Sequence, residues 1–269
     1  MLSNIFGQIE QLLEQAGGSW GAVIEDLHTQ ERFEHNPDQQ FYAASLIKVP
    51  IMAAVFTDVY QGKYSFEDFY TLRQEDLVGG AGVLQHLTAG TPITIYDLVT
   101  LMIIQSDNSA TNILIDRVGK KKIRQVMQKY QMNNSQFFNK LMMIPAELEG
   151  YNEVTAGDMA SIYRHMAAGK ILSYNSCLQM ISILKKQQLR DSIPFHLPDP
   201  DSEVIGGLPK WELANKTGNV TNINHDVGIL YVGDSAIMIS LLSKDAEEKR
   251  AKDTMGKIGR LIYDTYREK

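Results

Sequence analysis

Ser45 and Lys48 are the first residues of this chain whose types and spacing could do chemistry. Residues three apart on a helix share a face, with Cβ atoms about 5–6 Å apart. A serine hydroxyl is a poor nucleophile at neutral pH and needs a base. A lysine can be that base once burial disfavours its charged form. The pair alone is a weak signal. About one Ser-x-x-Lys is expected by chance in a chain of this composition, and Ser182-Ile-Leu-Lys185 is a second copy with no other reactive company.

Two tripeptides further along set Ser45 apart: Ser106-Asp107-Asn108 and Lys216-Thr217-Gly218, each present once. Attack on a carbonyl needs a nucleophile, a base, a proton carrier to the leaving nitrogen and donors for the oxyanion. Ser45 and Lys48 fit the first two roles. Ser106 fits the proton carrier. Lys216 can hold Ser106 by hydrogen bond and offer positive charge to an anionic substrate, with the Thr217 hydroxyl as a second donor. Asn108 offers an amide to a substrate amide. Singly, these are ordinary residues: Asp107 and Asn108 suit loops and caps, and Gly218 suits a turn.

The elements that must position them fall into two kinds. Leu2, Ile5, Phe6, Ile9, Leu12 and Leu13 repeat at helical spacing up to Gly17-Gly18. Residues 20–27 and 32–35 then read as a strand and its hairpin partner. Residues 211–216, 227–232 and 236–242 read as three further strands, and 246–266 as an amphipathic helix. Between them the spacing is helical: 49–60, 94–105, 109–118, 121–130, 156–167 and 176–186. Pro50 lies in the first turns of its helix, which predicts an irregular start there. Gly79-Gly80-Ala81-Gly82 reads as a plain flexible loop, since no Gly-Lys-Ser/Thr follows to make it a phosphate cradle.

The fold class expected is therefore α/β in the α+β sense. An antiparallel five-stranded sheet is flanked by the terminal helices and carries a large all-helical lobe. The expected organisation is one catalytic domain over 1–269, with a sheet lobe of 1–43 and 204–269 and a helical lobe of 44–203. The reactive residues should lie between the lobes.

Composition narrows the partners. A net charge of −6 argues against nonspecific nucleic-acid or anionic-membrane binding, which needs a basic surface. Lys120-Lys121-Lys122 reads as a solvated helix face. The single cysteine, Cys177, excludes an intrachain disulfide. No apolar run reaches the length of a membrane span. No basic segment leads into a long apolar core at the start, so a cytoplasmic monomer is expected, with secretion the alternative if a leader has been trimmed. The six histidines are scattered, with no i, i+4 metal pair, and no metal or other cofactor is expected. Only His225, close to Lys216, is placed to border the cleft.

Ser45-Leu-Ile-Lys48, Ser106-Asp-Asn108 and Lys216-Thr-Gly218, in this order and separation, resemble the serine β-lactamases of class A and the related penicillin-binding proteins. The layout of elements agrees over essentially the whole chain, which implies a β-lactamase/transpeptidase-like fold. The resemblance implies that Ser45 is acylated, with Lys48 as base and Ser106 as proton relay. It implies that Asn108 orients the substrate, and that Lys216, Thr217 and Gly218 bind it. The oxyanion hole would be the backbone N–H groups of Ser45 and Asn219. The implied substrate is a β-lactam. The alternatives are a D-Ala-D-Ala-type peptidase or esterase, and a β-lactam-binding protein that does not turn over.

The sequence departs from class A in two places. The family's Glu-x-x-x-Asn loop supplies the base for deacylation. Here Glu147 and Glu149 stand five and three positions before Asn152, so neither has the family spacing. Both are candidates for that base, and the spacing predicts that neither holds its place and that deacylation is slow. The stretch Asn224-His225-Asp226-Val227 also lacks the arginine that many class A enzymes carry there.

Overall fold

The structure is a computed structural model that describes residues 1–142, 148, 150–202 and 204–267. A 3₁₀ turn at Leu2–Ile5 leads into α1 (Phe6–Ala16), then β1 (Ser19–Asp26), β2 (Arg32–His35) and β3 (Phe41–Tyr42). The middle of the chain holds α2 (Lys48–Tyr60), β4 (Phe69–Thr71), β5 (Pro92–Thr94), α3 (Ile95–Ile104), α4 (Asn108–Val118) and α5 (Lys120–Lys129). After β6 (Glu153–Val154) come α6 (Ala156–Ala167) and α7 (Tyr174–Lys185). The chain ends with β7 (Trp211–Val220), β8 (Ile223–Val232), β9 (Ser235–Lys244) and α8 (Glu248–Tyr266).

The main sheet has five strands in the order β2-β1-β9-β8-β7, every neighbour antiparallel. It is buried on both faces, and the alternation of side chains along a strand divides two cores. Val23, Ala214, Val227, Ile229, Met238 and Leu242 face the helical lobe. Ala22, Ile24, Leu213, Leu230, Ile237, Ile239 and Leu241 face α1 and α8, where Ile9, Met255, Ile258 and Ile262 cover them. Ile193, before β7, also belongs to this second core.

One feature of the helical lobe differs from the sequence expectation. It carries short ladders, β4 with β5 and β3 with β6, and so is not wholly helical. Strands of two or three residues are too short to show alternation in a sequence. The ladder of Phe41 with Val154 and Tyr42 with Glu153 ties the segment entering Ser45 to the loop before α6. The irregular start expected from Pro50 is a 3₁₀ turn, Ala44–Ile47, running straight into α2. Pro50 then lies in the first turn of α2, where its missing N–H would have had no partner inside the helix.

Candidate active site

The 3₁₀ turn places Ser45 at the mouth of the cleft and points Lys48 inward. Ser45 is partly exposed, whereas Lys48 is wholly buried at 0%. Lys48 Nζ lies 3.0 Å from Ser45 Oγ, 3.0 Å from Ser106 Oγ, 2.6 Å from the Ser106 carbonyl and 3.0 Å from Asn108 Oδ1. An ammonium has three N–H groups, so it cannot donate to all four. Burial holds the Lys48 amine well below the ordinary lysine range, and the charge of Lys216 adds to this against the pull of Asp107. A neutral amine keeps a lone pair, and here that lone pair can accept the proton of Ser45.

Ser106 sits between two amines. Lys216 Nζ donates to Ser106 Oγ at 3.2 Å and to the Thr217 carbonyl at 2.8 Å. The oxygens and nitrogens of Ser45, Lys48, Ser106 and Lys216 therefore form one unbroken path for a proton. Two residues beside this path hold left-handed backbone without being glycine, Ala44 at φ 44° and Ser106 at φ 54°. Such conformations cost about 1–3 kcal/mol each and persist where surrounding contacts fix them. For Ser106 those contacts come from Asp107, whose carboxylate caps α4 at the Ala110 N–H and also accepts from the N–H groups of Val83 and Leu84.

The Gly79–Gly82 stretch is thus not the free loop its sequence suggested. Asn108 donates from Nδ2 to the Gly79 carbonyl and from its backbone N–H to the Ala81 carbonyl. Gly80 has φ 88° and Gly82 φ 107°, and a Cβ on Gly82 would overlap the Asp107 carboxyl group. Gly82→Ala should lose about 1–3 kcal/mol from backbone strain alone, with the clash added. Chemical denaturation and penicillin acylation of the variant check this, and both should fall. An unchanged midpoint would show that the loop is not gripped.

β7 is the edge strand on the cleft side. The Asn215 carbonyl accepts from Gln187 Nε2 at 3.3 Å and the Thr217 carbonyl from Lys216, so the backbone groups of these residues face away from β8. In an antiparallel ladder both groups of a residue face the same way, and every second residue repeats it. Asn219 keeps that parity, which leaves its N–H on the free edge, where the resemblance puts an oxyanion donor. Gly218 lets this edge approach the nucleophile turn: a Cβ there would lie 3.1 Å from Leu46 Cγ and 3.3 Å from the Ala43 carbonyl. Gln187, buried between the Ile103 and Asn215 carbonyls, is a support that periodicity does not reveal.

Sequence and structure disagree on His225. It does not open to the cleft but is 0% exposed, and burial lowers its imidazole to about 4. Its neighbour Asp226 is equally buried and faces the terminal helices, accepting from Asn215 Nδ2 and the Ile193 N–H. Burial raises the Asp226 carboxyl. Burial lowers Lys216 to about 7, against the pull of Asp226. Asn152 is also buried, and its amide is spent on the backbone of Phe138 and Asn139. Glu147 and Glu149 lie outside the described residues. Among the described residues no group of three His, Cys, Asp or Glu could hold a metal ion, and no helix is long and apolar enough to cross a membrane.

A sheet of this order joined to a helical lobe, with serine, lysine and a second serine at the junction, defines a serine acyl-transfer fold. Residues 4–266 match the profile of the β-lactamase enzyme family. The chain is 24% identical to the β-lactamase PSE-4 of Pseudomonas aeruginosa, over 98% of this chain and 92% of that one. The solved β-lactamase from Sphaerobacter thermophilus superposes with a TM-score of 0.89 and 31% identity, covering 97% of each chain. The structure of PBP-A superposes with a TM-score of 0.85 and 25% identity, covering 100% of this chain and 97% of that one. The chain belongs to the β-lactamase enzyme family, as a class A β-lactamase-like serine hydrolase.

Proposed function

We propose that this hydrolase opens β-lactam rings through an acyl-enzyme on Ser45 and releases the acyl group slowly. The observation that carries the first part is the path of contacts from Ser45 through Lys48 and Ser106 to Lys216, none longer than 3.2 Å. Ser45 attacks the lactam carbonyl and passes its proton to Lys48. Ser106 returns a proton to the departing nitrogen. The N–H groups of Ser45 and Asn219 receive the oxyanion, while Lys216 and Thr217 take the substrate carboxylate and Asn108 its amide. A variant of PBP-A has been solved as an acyl-enzyme complex with penicillin G, which supports a penicillin as the probe. The slow second half rests on the spacing of Glu147 and Glu149 and on the use of the Asn152 amide elsewhere.

Intact-mass spectrometry after mixing with a penicillin tests both halves. The expected result is rapid gain of one penicillin mass and slow return to the free mass. No adduct and no turnover, with cleavage of an acyl-D-Ala-D-Ala peptide, would assign the chain to the peptidase reading. A permanent adduct would assign it to the binding reading.

The charge of Lys216 gives a pH dependence. A lysine brought down to about 7 by burial is protonated below that pH and neutral above it. Capture of the substrate carboxylate should therefore weaken as pH rises through about 7. An exposed lysine would keep its charge to about 10. Lys216→Arg, which stays charged, should flatten this limb. The dissociation constant of the noncovalent penicillin complex, measured across pH 6–9 in both proteins, checks it.

A further inference from the structure

The two N–H groups assigned to the oxyanion hole belong to separate parts of the chain. One is on the 3₁₀ turn at Ser45, the other on the edge strand at Asn219. Their spacing decides how well the hole fits, so something must hold the turn against the sheet. Gly218 permits close approach but supplies no bond.

His225 supplies one. It lies opposite Gly218 in the β7–β8 register, on the face turned to the helical lobe. Its Nε2 is 3.0 Å from the Tyr42 carbonyl, three residues before Ser45. A carbonyl can only accept, so Nε2 carries the proton and donates. The other ring nitrogen, Nδ1, lies 2.9 Å from the Asn224 carbonyl and 3.2 Å from the Ser243 N–H of β9. That N–H can only donate, so in the neutral ring Nδ1 accepts from it and the proton stays on Nε2, while the Asn224 carbonyl takes the Ser243 hydroxyl at 2.8 Å. The ring also stands edge-on to Phe41, with centroids 5.9 Å apart at 86°. His225 thus joins the sheet to the segment that enters the turn, with a partner at each ring nitrogen.

We infer that His225 is a positioning residue, a strap from β8 to the Tyr42 carbonyl that sets the separation of the Ser45 and Asn219 N–H groups. The inference rests on the acyl-enzyme reading above. Its effect should fall on the chemical step and not on capture, because the oxyanion forms only after the noncovalent complex.

The test compares His225→Gln, whose side-chain N–H reaches about as far as Nε2, with His225→Met, which fills space without a donor. Penicillin acylation is followed by mass in each, with the noncovalent dissociation constant taken from the concentration dependence. The Met variant should acylate about 10²-fold more slowly, as a misplacement near 1 Å implies, and the Gln variant within about threefold of the parent. The dissociation constant should be unchanged in both. Hydrogen exchange over residues 41–46 should quicken in the Met variant alone. Acylation of the Met variant at the parent rate, or a Gln variant as slow as the Met one, overturns the strap. If the Met variant does not fold, the Gln variant decides, since loss of its acylation rate contradicts a role carried by the donor. A parent protein that penicillin never acylates counts against the proposed function, and the exchange over 41–46 then still judges the strap.

Discussion

Ser45→Ala should abolish covalent labelling by a penicillin, leaving the protein at its free mass however long the incubation. No other serine stands in its position. Ser182 and Lys185 repeat the spacing on α7, yet Lys185 is spent on Glu212 and no second serine joins the pair. Lys48→Ala keeps the nucleophile but removes the base and the link to Ser106. General base catalysis contributes about 10²–10⁴-fold, so labelling of this variant should slow by that order. The two losses should not add, because one path of protons serves both residues. Peptide mapping of the labelled parent locates the adduct. An adduct on Ser182, or normal labelling of Ser45→Ala, would overturn the assignment.

Release of the acyl group should be the slow half of the reaction. An ester is hydrolysed fast only when a base holds a water about 3 Å from its carbonyl carbon. Without a carboxylate in that place, steady turnover should lag acylation by about 10²–10⁴-fold. A chromogenic β-lactam should show a burst of about one equivalent, followed by a slow linear phase. Glu147→Gln and Glu149→Gln should each change the linear phase by less than about tenfold, and leave the burst intact. A fall of a hundredfold in either variant would identify a deacylating glutamate, and the spacing argument would be wrong.

The parts of this protein that were legible in its sequence are those whose signal is local. Strands β8 and β9 announced themselves through the apolar runs 227–232 and 236–242 with a turn between them, because burial on both faces leaves those stretches little room for polar residues. Ser45 and Lys48 were legible because a helical turn fixes what a three-residue spacing does. The grip of Asp107 on Val83 and Leu84 was not, since it joins segments 24 and 23 positions apart and nothing in a run of glycines names its partner. His225 was misplaced for a related reason. Nearness to Lys216 in sequence suggested the cleft, but adjacent strands share a ladder whose inner residues can be sealed by the layer above. The ladder of β3 with β6 was too short to leave any pattern at all.

The position of β1 has a consequence for how the protein comes into being. β1 lies between β2 and β9, so one of its two ladders waits for residues made long after it. Asp26 accepts from the Tyr266 hydroxyl, 240 positions away. During synthesis the nucleophile turn leaves the ribosome early, while Lys216, His225 and β9 follow at about 5–20 residues per second. Until then Ser45 has no wall opposite it and the apolar face of β1 has no neighbour on one side. The nascent chain is chemically silent and exposed together, and contacts between such distant residues form slowly. A chain cut short before β9 would stay in that condition.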